Sequence, residues 1–320
     1  MRPFRFGIMP YIGFWTHSMN EWVKSVKLYE KLGYDTLFQC DHFYQATYDP
    51  IAMLASAAVT TEKLNIGTLV FDVDYRHPVV LAKAAATLYL LSNGRYEFGI
   101  GAGWQKRDYY NAGIKFNRPS KRIERLEEAL KIIRGMWTQE NTSFDGKHYQ
   151  INEIDRAGNL SEGEYPKIIV GGGGKKVLSV AGRHADIVGI NMSVPDGNFT
   201  NAIRRHTKDR VMLQIEWAKA AAKDYSRDLY NMEFQMHIPE VMITDEPELA
   251  YKKIAKEYDI AVEEAVACPT ILFGSSSQIV TKLKELREDT GINYFSFGLN
   301  DTKLIYEFAK TVIRPLRKIT

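Results

Sequence analysis

Asp41 and His42 are the adjacent residues best suited to moving a proton in this chain of 320 residues. A histidine ring donates or accepts a proton near neutral pH, and an adjacent carboxylate can hold or charge that ring. The pair directly follows the apolar segment DTLFQC, residues 35–40, which has the pattern of a strand. Both side chains are therefore expected at the carboxyl end of a strand, as a proton-transfer site. The alternative is a polar strand end whose hydrogen bonds are satisfied by neighbouring groups.

The other six histidines are weaker candidates for chemistry. His17 follows the first apolar segment and is expected to line the same site as His42. His77, beside a proline, and His184, near a predicted helix end, are expected to be structural. The spacings HxH and HExxH do not occur, so we expect no metal site.

A run of four glycines, residues 171–174, lies between the apolar segment KIIV and a predicted helix that begins near Lys175. Backbone N–H groups converge in such a run, and a helix N-terminus adds partial positive charge. Lys175 and Lys176 add full charges at the same junction. This combination predicts a phosphate-binding loop, and a merely flexible loop is the alternative.

The segment GIGAGW, residues 99–104, follows another predicted strand. Its spacing is GxGxG rather than the GxGxxG of a dinucleotide-binding unit. Small residues there allow a flat ligand to approach the backbone closely, although a tight strand end is the alternative. The sequence shows neither the paired carboxylates of a glycosidase at the strand ends nor a GxSxG nucleophile motif. The three segments together indicate a phosphate-bearing cofactor.

Eight short apolar segments alternate with segments of helical period along the whole chain. The predicted strands are residues 4–9, 35–40, 64–71, 96–100, 167–170, 185–190, 233–243 and 294–298. The clearest predicted helices are residues 18–31, 51–60, 78–91, 122–137, 200–224 and 303–312. Eight such units predict a (β/α)₈ TIM barrel, with a doubly wound open sheet as the alternative. We expect one domain, residues 1–320, with a hairpin insertion around 141–166.

Composition excludes several classes of protein. The chain has 42 basic and 39 acidic residues, a net charge of +3, and 45% hydrophobic residues, which is ordinary globular composition. Such a balance indicates no nucleic-acid partner. The longest apolar run, residues 84–91, is far shorter than the ~20 residues of a membrane span, so we expect no membrane association. Two cysteines and no readable signal peptide indicate a cytoplasmic protein.

The order of these motifs resembles the bacterial luciferase-like superfamily from end to end. The matching segments are GYDTLFQCDHF, LNIGTLVFDVDYRHPVVLAKAAATL, RYEFGIGAGW, KRIERLEEALKIIRGMW, PKIIVGGGGKKVLSVAGRHADIV and TKLKELREDTGINYFSFG. The resemblance implies a (β/α)₈ barrel that binds either FMN or the deazaflavin coenzyme F420. The short chain and the Asp-His pair look more like the F420-dependent branch.

The resemblance also implies roles for individual residues. His42 matches the residue that handles protons beside the reacting ring carbon, and Asp41 matches a cofactor contact. Leu69 and Val70 match a strand bulge, usually with a non-prolyl cis peptide bond, that supports the ring from behind. The remaining positions that match cofactor contacts or the phosphate loop are Asp72, Ala102, Gly103, Arg107, Gly172, Gly173 and Gly174.

Trp104 departs from the pattern of the family's sugar-phosphate dehydrogenases, which have a glutamate at this position as a second acid–base group. Glucose 6-phosphate is therefore a poor candidate for the substrate. We expect Trp104 to form an aromatic or apolar wall of the substrate pocket, with core packing as the alternative.

The implied function is that of an F420-dependent oxidoreductase that transfers a hydride between the coenzyme and a small organic substrate. An FMN-dependent two-component monooxygenase, supplied by a separate flavin reductase, is the first alternative. A non-catalytic flavin-binding barrel is the second. The family commonly dimerises through helices beside the second and third strands. Residues 51–60 and 79–91 are rich in alanine and small apolar residues there, so we expect a homodimer.

Overall fold

Eight parallel strands close into a barrel in the computed structural model, which describes residues 2–10, 18–43, 48–158, 160, 163–194 and 199–319. The strands are β1 Arg5–Ile8, β2 Thr36–Gln39, β3 Asn65–Thr68, β4 Phe71–Asp72, β5 Tyr96–Gly101, β6 Asn141–Asp145, β7 Gln150–Asp155, β8 Lys167–Gly172, β9 Ile187–Ile190, β10 Glu233–Ile238, β11 Glu240–Ile243, β12 Ile271–Gly274 and β13 Tyr294–Phe297.

The order around the barrel is β1-β2-β3-β5-β8-β9-β10-β13, which is also the order along the chain. The register places Ile8 beside Leu37 on one side and beside Phe297 on the other. Pairing of β3 with β5 continues the ring between its third and fourth strands. A closed sheet with sequential parallel strands confirms the (β/α)₈ barrel and rules out the open-sheet alternative.

Helices surround the barrel and begin and end at signals that the sequence carries. They are α1 Met19–Leu32, α2 Pro50–Thr60, α3 Pro78–Leu91, α4 Lys106–Asn111, α5 Pro119–Thr138, α6 Lys175–His184, α7 Phe199–Arg205, α8 Lys208–Asp224, α9 Pro247–Tyr258, α10 Val262–Ala267, α11 Ser276–Thr290, α12 Thr302–Phe308 and α13 Arg314–Arg317, with a 3₁₀ turn at Leu229–Asn231 and a π turn at Ala309–Ile313. Ser18 caps α1, and Gly33 ends it at φ 86°. Within the ranges described above, no helix is both long and apolar enough to cross a membrane.

Two predicted elements are divided in the structure. The single helix predicted over residues 200–224 is α7 and α8, because Thr207 adopts an extended conformation and caps α8 by accepting a hydrogen bond from the Arg210 N–H. The single strand predicted over residues 233–243 is β10 and β11, which separate at Pro239. Proline has no N–H to donate to a neighbouring strand. β11 instead pairs with β12, a strand that the sequence analysis missed.

The amino end of the barrel is closed by a buried ionic cluster. The Arg5 guanidinium on β1 contacts the carboxylates of Glu97 and Glu233, and the Tyr294 hydroxyl donates to Glu97 at 2.7 Å. Above this cluster the Phe38 ring fills the space between two glycines, because a Cβ at Gly7 or Gly67 would lie 2.7 Å from it. Side chains therefore fill the barrel interior at the amino ends of the strands. This leaves the carboxyl ends of the strands for a ligand. β6 and β7 form a separate antiparallel pair where the hairpin is predicted.

Candidate active site

A cavity of about 610 Å³ lies at the carboxyl ends of the barrel strands. It brings together most of the predicted site residues, namely Asp41, His42, Leu69, Val70, Asp72, Ala102, Gly103, Trp104, Gly172, Gly173 and Gly174. Arg107 and Lys175 are exposed and are not among the residues that line it. His17 lies outside the described residues, so its expected place in the substrate pocket stays a prediction.

The His42 ring is held by a carboxylate that the sequence analysis did not identify. His42 Nδ1 lies 2.7 Å from Oδ2 of Asp108, which is 1% exposed. The same carboxylate accepts hydrogen bonds from the Phe43 N–H and from the Tyr75 hydroxyl, at 3.3 and 3.4 Å. Because Nδ1 is engaged by Asp108, Nε2 is the ring nitrogen through which we expect proton exchange with a ligand. Asp108 is in α4, 66 residues from His42, and nothing in the linear sequence links the two.

Asp41, the carboxylate next to His42 in the sequence, has a different set of partners. Its Oδ2 accepts hydrogen bonds from Arg76 Nη1 at 2.7 Å and from the Asp72 N–H at 3.2 Å. Burial raises the pKa of Asp41, and the Arg76 guanidinium opposes that rise. Asp108, rather than the adjacent carboxylate, therefore holds the ring. Asp41 interacts with His42 through its charge and joins the segment after β2 to the segment after β4.

Replacing Asp108 by asparagine is expected to lower kcat by about 10- to 100-fold, because the ring loses the charge that orients it. KM for the organic substrate and the Kd of the cofactor are expected to stay unchanged, since Asp108 does not line the cavity. The measurement is kcat and KM over a range of pH, and the pH profile of kcat should change shape. Asp224→Asn, an exposed carboxylate at the end of α8, is the control. Unchanged kcat in the Asp108 variant would contradict a positioning role.

Asp72 is a buried carboxyl group that lines the cavity. It accepts hydrogen bonds from the Tyr109 hydroxyl at 2.8 Å and the Asp74 N–H at 2.9 Å. Burial raises the pKa of Asp72 to about 7, and the charges of Asp74 and Asp41 act in the same direction. Because the pKa is higher in the folded protein than in the unfolded chain, ionisation of Asp72 costs stability as the pH rises from about 4 to 7.

The Asp72→Asn variant is expected to gain stability relative to the parent protein over that pH range. The unfolding free energy of the variant minus that of the parent protein is the gap measured here. It should increase by about 2–4 kcal/mol between pH 4 and pH 7 and stay constant at higher pH. Urea denaturation at a series of pH values measures this gap. Asp245→Asn, at an exposed position, is expected to show a constant gap. A gap for Asp72→Asn that does not vary with pH would show that the carboxyl ionises normally.

The predicted bulge interrupts the third barrel strand between β3 and β4. The Leu69–Val70 peptide bond is cis, as the family resemblance implies. The Val70 side chain faces three glycines of β5 and β8, because a Cβ at Gly99, Gly101 or Gly171 would lie 3.0, 2.9 or 3.4 Å from its methyl groups. Gly103 has φ +70°, and a Cβ there would lie 2.0 Å from the Tyr109 hydroxyl. Gly99 and Gly103 require glycine, since a Cβ at Gly99 would also lie 1.9 Å from the Thr68 carbonyl oxygen. The glycines give the cavity a wall with little side chain that suits a flat ring.

The glycine loop after β8 is fixed from behind by backbone and side-chain contacts. A Cβ at Gly173 would lie 2.5 Å from the Met192 carbonyl, and a Cβ at Gly172 would lie 2.3 Å from Val177. Gln214 Nε2 donates to the carbonyl oxygens of Gly173 and Asn191, at 2.8 and 2.9 Å. Gly174 precedes α6, whose first N–H groups receive no side-chain cap. The loop therefore leads into a helix N-terminus without a side-chain cap, an arrangement that suits a phosphate.

Part of the cavity lining is apolar and aromatic. The Trp104 ring meets the Phe199 and His42 rings edge to face, with centroids 5.2 and 5.7 Å apart. The further side chains of this wall are Met192, Ile203, Tyr258 and Ile271. Trp104 thus lines the cavity rather than packing only in the core, and its place in a substrate pocket stays a prediction.

Polar groups on the far side of the cavity come mainly from β10 and β11. Glu240 accepts a hydrogen bond from the Tyr258 hydroxyl at 3.2 Å, and burial raises the pKa of this carboxyl group. Burial lowers the pKa of His237 to about 4, so its ring is neutral at neutral pH. Arg122 lines the cavity, but it donates to the carbonyl oxygens of Ala102, Gly103 and Asn117. Among the described residues no group of three or more His, Cys, Asp or Glu side chains is placed to hold a metal ion.

Comparison with known proteins places the chain in a family. Residues 5–294 match the family model described as luciferase-like monooxygenase, and the chain belongs to that family. This confirms the resemblance that the sequence motifs carry.

The relatives of this chain are named for different activities. An F420-dependent glucose-6-phosphate dehydrogenase from Amycolatopsis mediterranei is 27% identical over 319 residues, which cover 91% of this chain and 92% of that protein. The structure of an F420-dependent secondary alcohol dehydrogenase in complex with an F420-acetone adduct has a TM-score of 0.79 at 16% identity, covering 99% of both chains. EDTA monooxygenase from Chelativorans sp. BNC1 has a TM-score of 0.80 at 14% identity, covering 99% of this chain and 94% of its own. The two structural likenesses show the shared fold alone.

Proposed function

We propose that this chain is an F420-dependent oxidoreductase that transfers a hydride between the deazaflavin ring and a small organic substrate. One observation carries the proposal: a single cavity is lined by His42, the Leu69–Val70 bulge and the glycine loop. These are a proton-transfer group, a support for a flat ring and an anion site. The relative from Amycolatopsis mediterranei, which covers 91% of this chain, is named as F420-dependent and supports the same cofactor.

The residues of the cavity fit such a cofactor. The N–H groups at residues 172–174 are suited to its phosphate, and Leu69 and Val70 to the back of its ring, where glycines leave room. Asp41, Asp72, Ala102 and Gly103 line the same cavity. We also propose Arg107 and Lys175 as contacts, although both are exposed. When bound, coenzyme F420 supplies the ring carbon that accepts or gives up the hydride.

His42 is proposed to hold the proton that leaves or joins the substrate oxygen when the hydride moves. Asp108 keeps Nδ1 engaged, so that Nε2 performs this exchange in a fixed orientation. A charge on Asp108 also stabilises the ring when it is protonated. Trp104 and Phe199 cover this region with aromatic surface and exclude water from the reacting groups.

The substrate is proposed to be an apolar alcohol or the corresponding carbonyl compound. Its side of the cavity has aromatic and aliphatic walls and the carboxyl group of Glu240. In the part of the chain that the structure describes, the guanidinium of Arg122 is the only Lys or Arg side chain that lines the cavity, and three carbonyl oxygens occupy it. A phosphate ester would therefore lack a counter-charge there.

The test is turnover with coenzyme F420 and a panel of primary and secondary alcohols of increasing apolar size, with glucose 6-phosphate included. Reduction of the coenzyme is followed by the loss of its visible absorbance. We expect reduction with apolar alcohols and none with glucose 6-phosphate. Turnover of glucose 6-phosphate and of no alcohol would contradict the substrate class while leaving the cofactor in place.

An FMN-dependent monooxygenase is the second candidate, and the family description favours it. In that case a separate reductase supplies reduced FMN, and turnover consumes oxygen. Oxygen uptake in the presence of reduced FMN and an aldehyde, alkane or sulfonate distinguishes it from the first candidate. A non-catalytic flavin-binding barrel would show neither hydride transfer nor oxygen uptake.

We further propose that the protein is a cytoplasmic homodimer. Exposed apolar side chains on α2 and α3, namely Val59, Val80, Leu90 and Leu91, support an interface on that face. Both cysteines are free, which fits a reducing compartment. Mass measurement in solution tests the dimer, and a monomer at all working concentrations would exclude it.

A further inference from the structure

A second cavity, of about 270 Å³, lies beside the glycine loop. It is lined by Ser193, Ala202, Arg205, His206, Arg210 and Gln214. Ser193 also lines the larger cavity, and Gln214 donates to the carbonyl oxygen of Gly173 at 2.8 Å. The second cavity therefore adjoins the loop on which we place the phosphate of the cofactor.

The described lining of this second cavity is positively charged. Among the residues that the structure describes, the lining contains two guanidinium groups and no carboxylate. Over the described ranges of the chain, neither Arg205 nor Arg210 has a carboxylate within 4.0 Å, unlike Arg204, which pairs with Glu264 at 3.3 Å. The Arg210 guanidinium instead lies 4.5 Å from the centroid of the Trp217 ring. Two arginines without counter-charges around one cavity indicate an anionic ligand.

Two buried polar side chains at the cavity also have unused hydrogen-bonding capacity. His206 is 1% exposed and Gln214 is 0% exposed. Nε2 of His206 and Oε1 of Gln214 make no hydrogen bond to any described residue. Burial, together with the charge of Arg210, lowers the pKa of His206 to about 4. At neutral pH the ring is therefore neutral and has one N–H to donate. A buried polar atom without a partner is unfavourable, and an anion that accepts the N–H of the His206 ring is bound more tightly for that reason. Gln214 Oε1 is itself an acceptor and is not satisfied by an anion.

We propose that this second cavity binds a carboxylate of the cofactor that lies beyond its phosphate, with Arg205, His206 and Arg210 as the groups that recognise it. The proposal rests on the proposed function, because it requires the phosphate to occupy the glycine loop. FMN ends at its phosphate, whereas coenzyme F420 continues into a tail that carries several carboxylates. The cavity therefore selects for the deazaflavin coenzyme over FMN by its tail as well as by its ring.

The experiment compares two ligands in the full-length protein: coenzyme F420 and the same deazaflavin ending at its ribityl phosphate. Their Kd values are measured by fluorescence quenching at fixed ionic strength. We expect the Arg205→Gln/Arg210→Gln double variant to raise the Kd of F420 at least about tenfold. The Kd of the truncated ligand should be unchanged. The Arg205→Lys/Arg210→Lys variant, which keeps both charges, should recover most of the affinity for F420.

Arg204→Gln is the matched control, because it removes a neighbouring positive charge on α7 that is paired with Glu264 rather than directed to the cavity lining. It is expected to leave both Kd values unchanged. Equal changes for both ligands in the double variant, or no change for F420, would overturn the proposal. Inorganic phosphate is titrated in parallel by thermal shift. One outcome is that phosphate stabilises the parent protein but not the double variant, while F420 and the truncated ligand bind with equal affinity. In that case the cavity is an independent anion site, and the assignment to the cofactor tail is wrong.

Failure of the proposed function gives a different result in the same experiment. Tight binding of FMN with no binding of either deazaflavin by the parent protein would refute the F420 dependence and the tail site together. Binding of both deazaflavins with equal affinity would refute the tail site alone.

Discussion

Replacing His42 by alanine is expected to lower kcat for hydride transfer by about 100- to 10,000-fold. The Kd of the cofactor is expected to change little, because the glycine loop and the bulge, which provide most of its contacts, remain intact. The reason is the position of the ring: it lines the cavity, and Asp108 fixes its Nδ1 at 2.7 Å.

The measurement is the rate of coenzyme reduction at saturating alcohol, with cofactor binding measured separately. His77→Ala is the control, because His77 is exposed and caps α3 by accepting from the Val79 N–H. It is expected to leave kcat unchanged. An His42→Ala variant that keeps a third or more of the parent kcat would mean that another group, such as Glu240 or His237, moves the proton.

Replacing Gly173 by alanine is expected to weaken cofactor binding by about 10- to 100-fold and to lower the unfolding free energy by about 1–3 kcal/mol. The added Cβ would lie 2.5 Å from the carbonyl group of Met192 and from the N–H of Ser193, which are backbone atoms that cannot rotate away. The loop must therefore shift, and its N–H groups then point away from the phosphate.

Gly174→Ala is the matched control for stability. Its nearest neighbour, Ser193 Oγ, would be 4.0 Å from the new Cβ, and its φ of −97° suits an alanine. The unfolding free energy of this variant should stay within about 0.5 kcal/mol of the parent value. Denaturation and calorimetric titration measure both effects. Normal cofactor affinity in Gly173→Ala would place the phosphate elsewhere.

Much of the fold could be predicted because local signals agreed with the global arrangement. Eight apolar segments alternated with helical ones, Gly33 ended a helix, and Pro78 began one. Where the prediction merged elements, the break depended on a single residue: Thr207 caps α8, and Pro239 separates β10 from β11. The positions of the site residues followed from the fold, since the carboxyl ends of barrel strands meet around one cavity.

The partners of the site residues could not be predicted, because the contacts join distant parts of the chain. Sequence adjacency suggested that Asp41 holds the His42 ring, yet Asp41 is bound by Arg76 and Asp108 takes that role. Gln214, which supports the glycine loop, is 41 residues from Gly173. Glu240 reaches the cavity only because β11 leaves the barrel after Pro239. Each of these contacts depends on how helices and strands pack rather than on local pattern.

Parallel titration of the cofactor-free protein with coenzyme F420 and with FMN tests the central claim most directly. The proposed function predicts that F420 binds at least about tenfold more tightly than FMN, a difference of about 1.4 kcal/mol or more. Tight binding of FMN without binding of F420 would contradict it and would favour the monooxygenase.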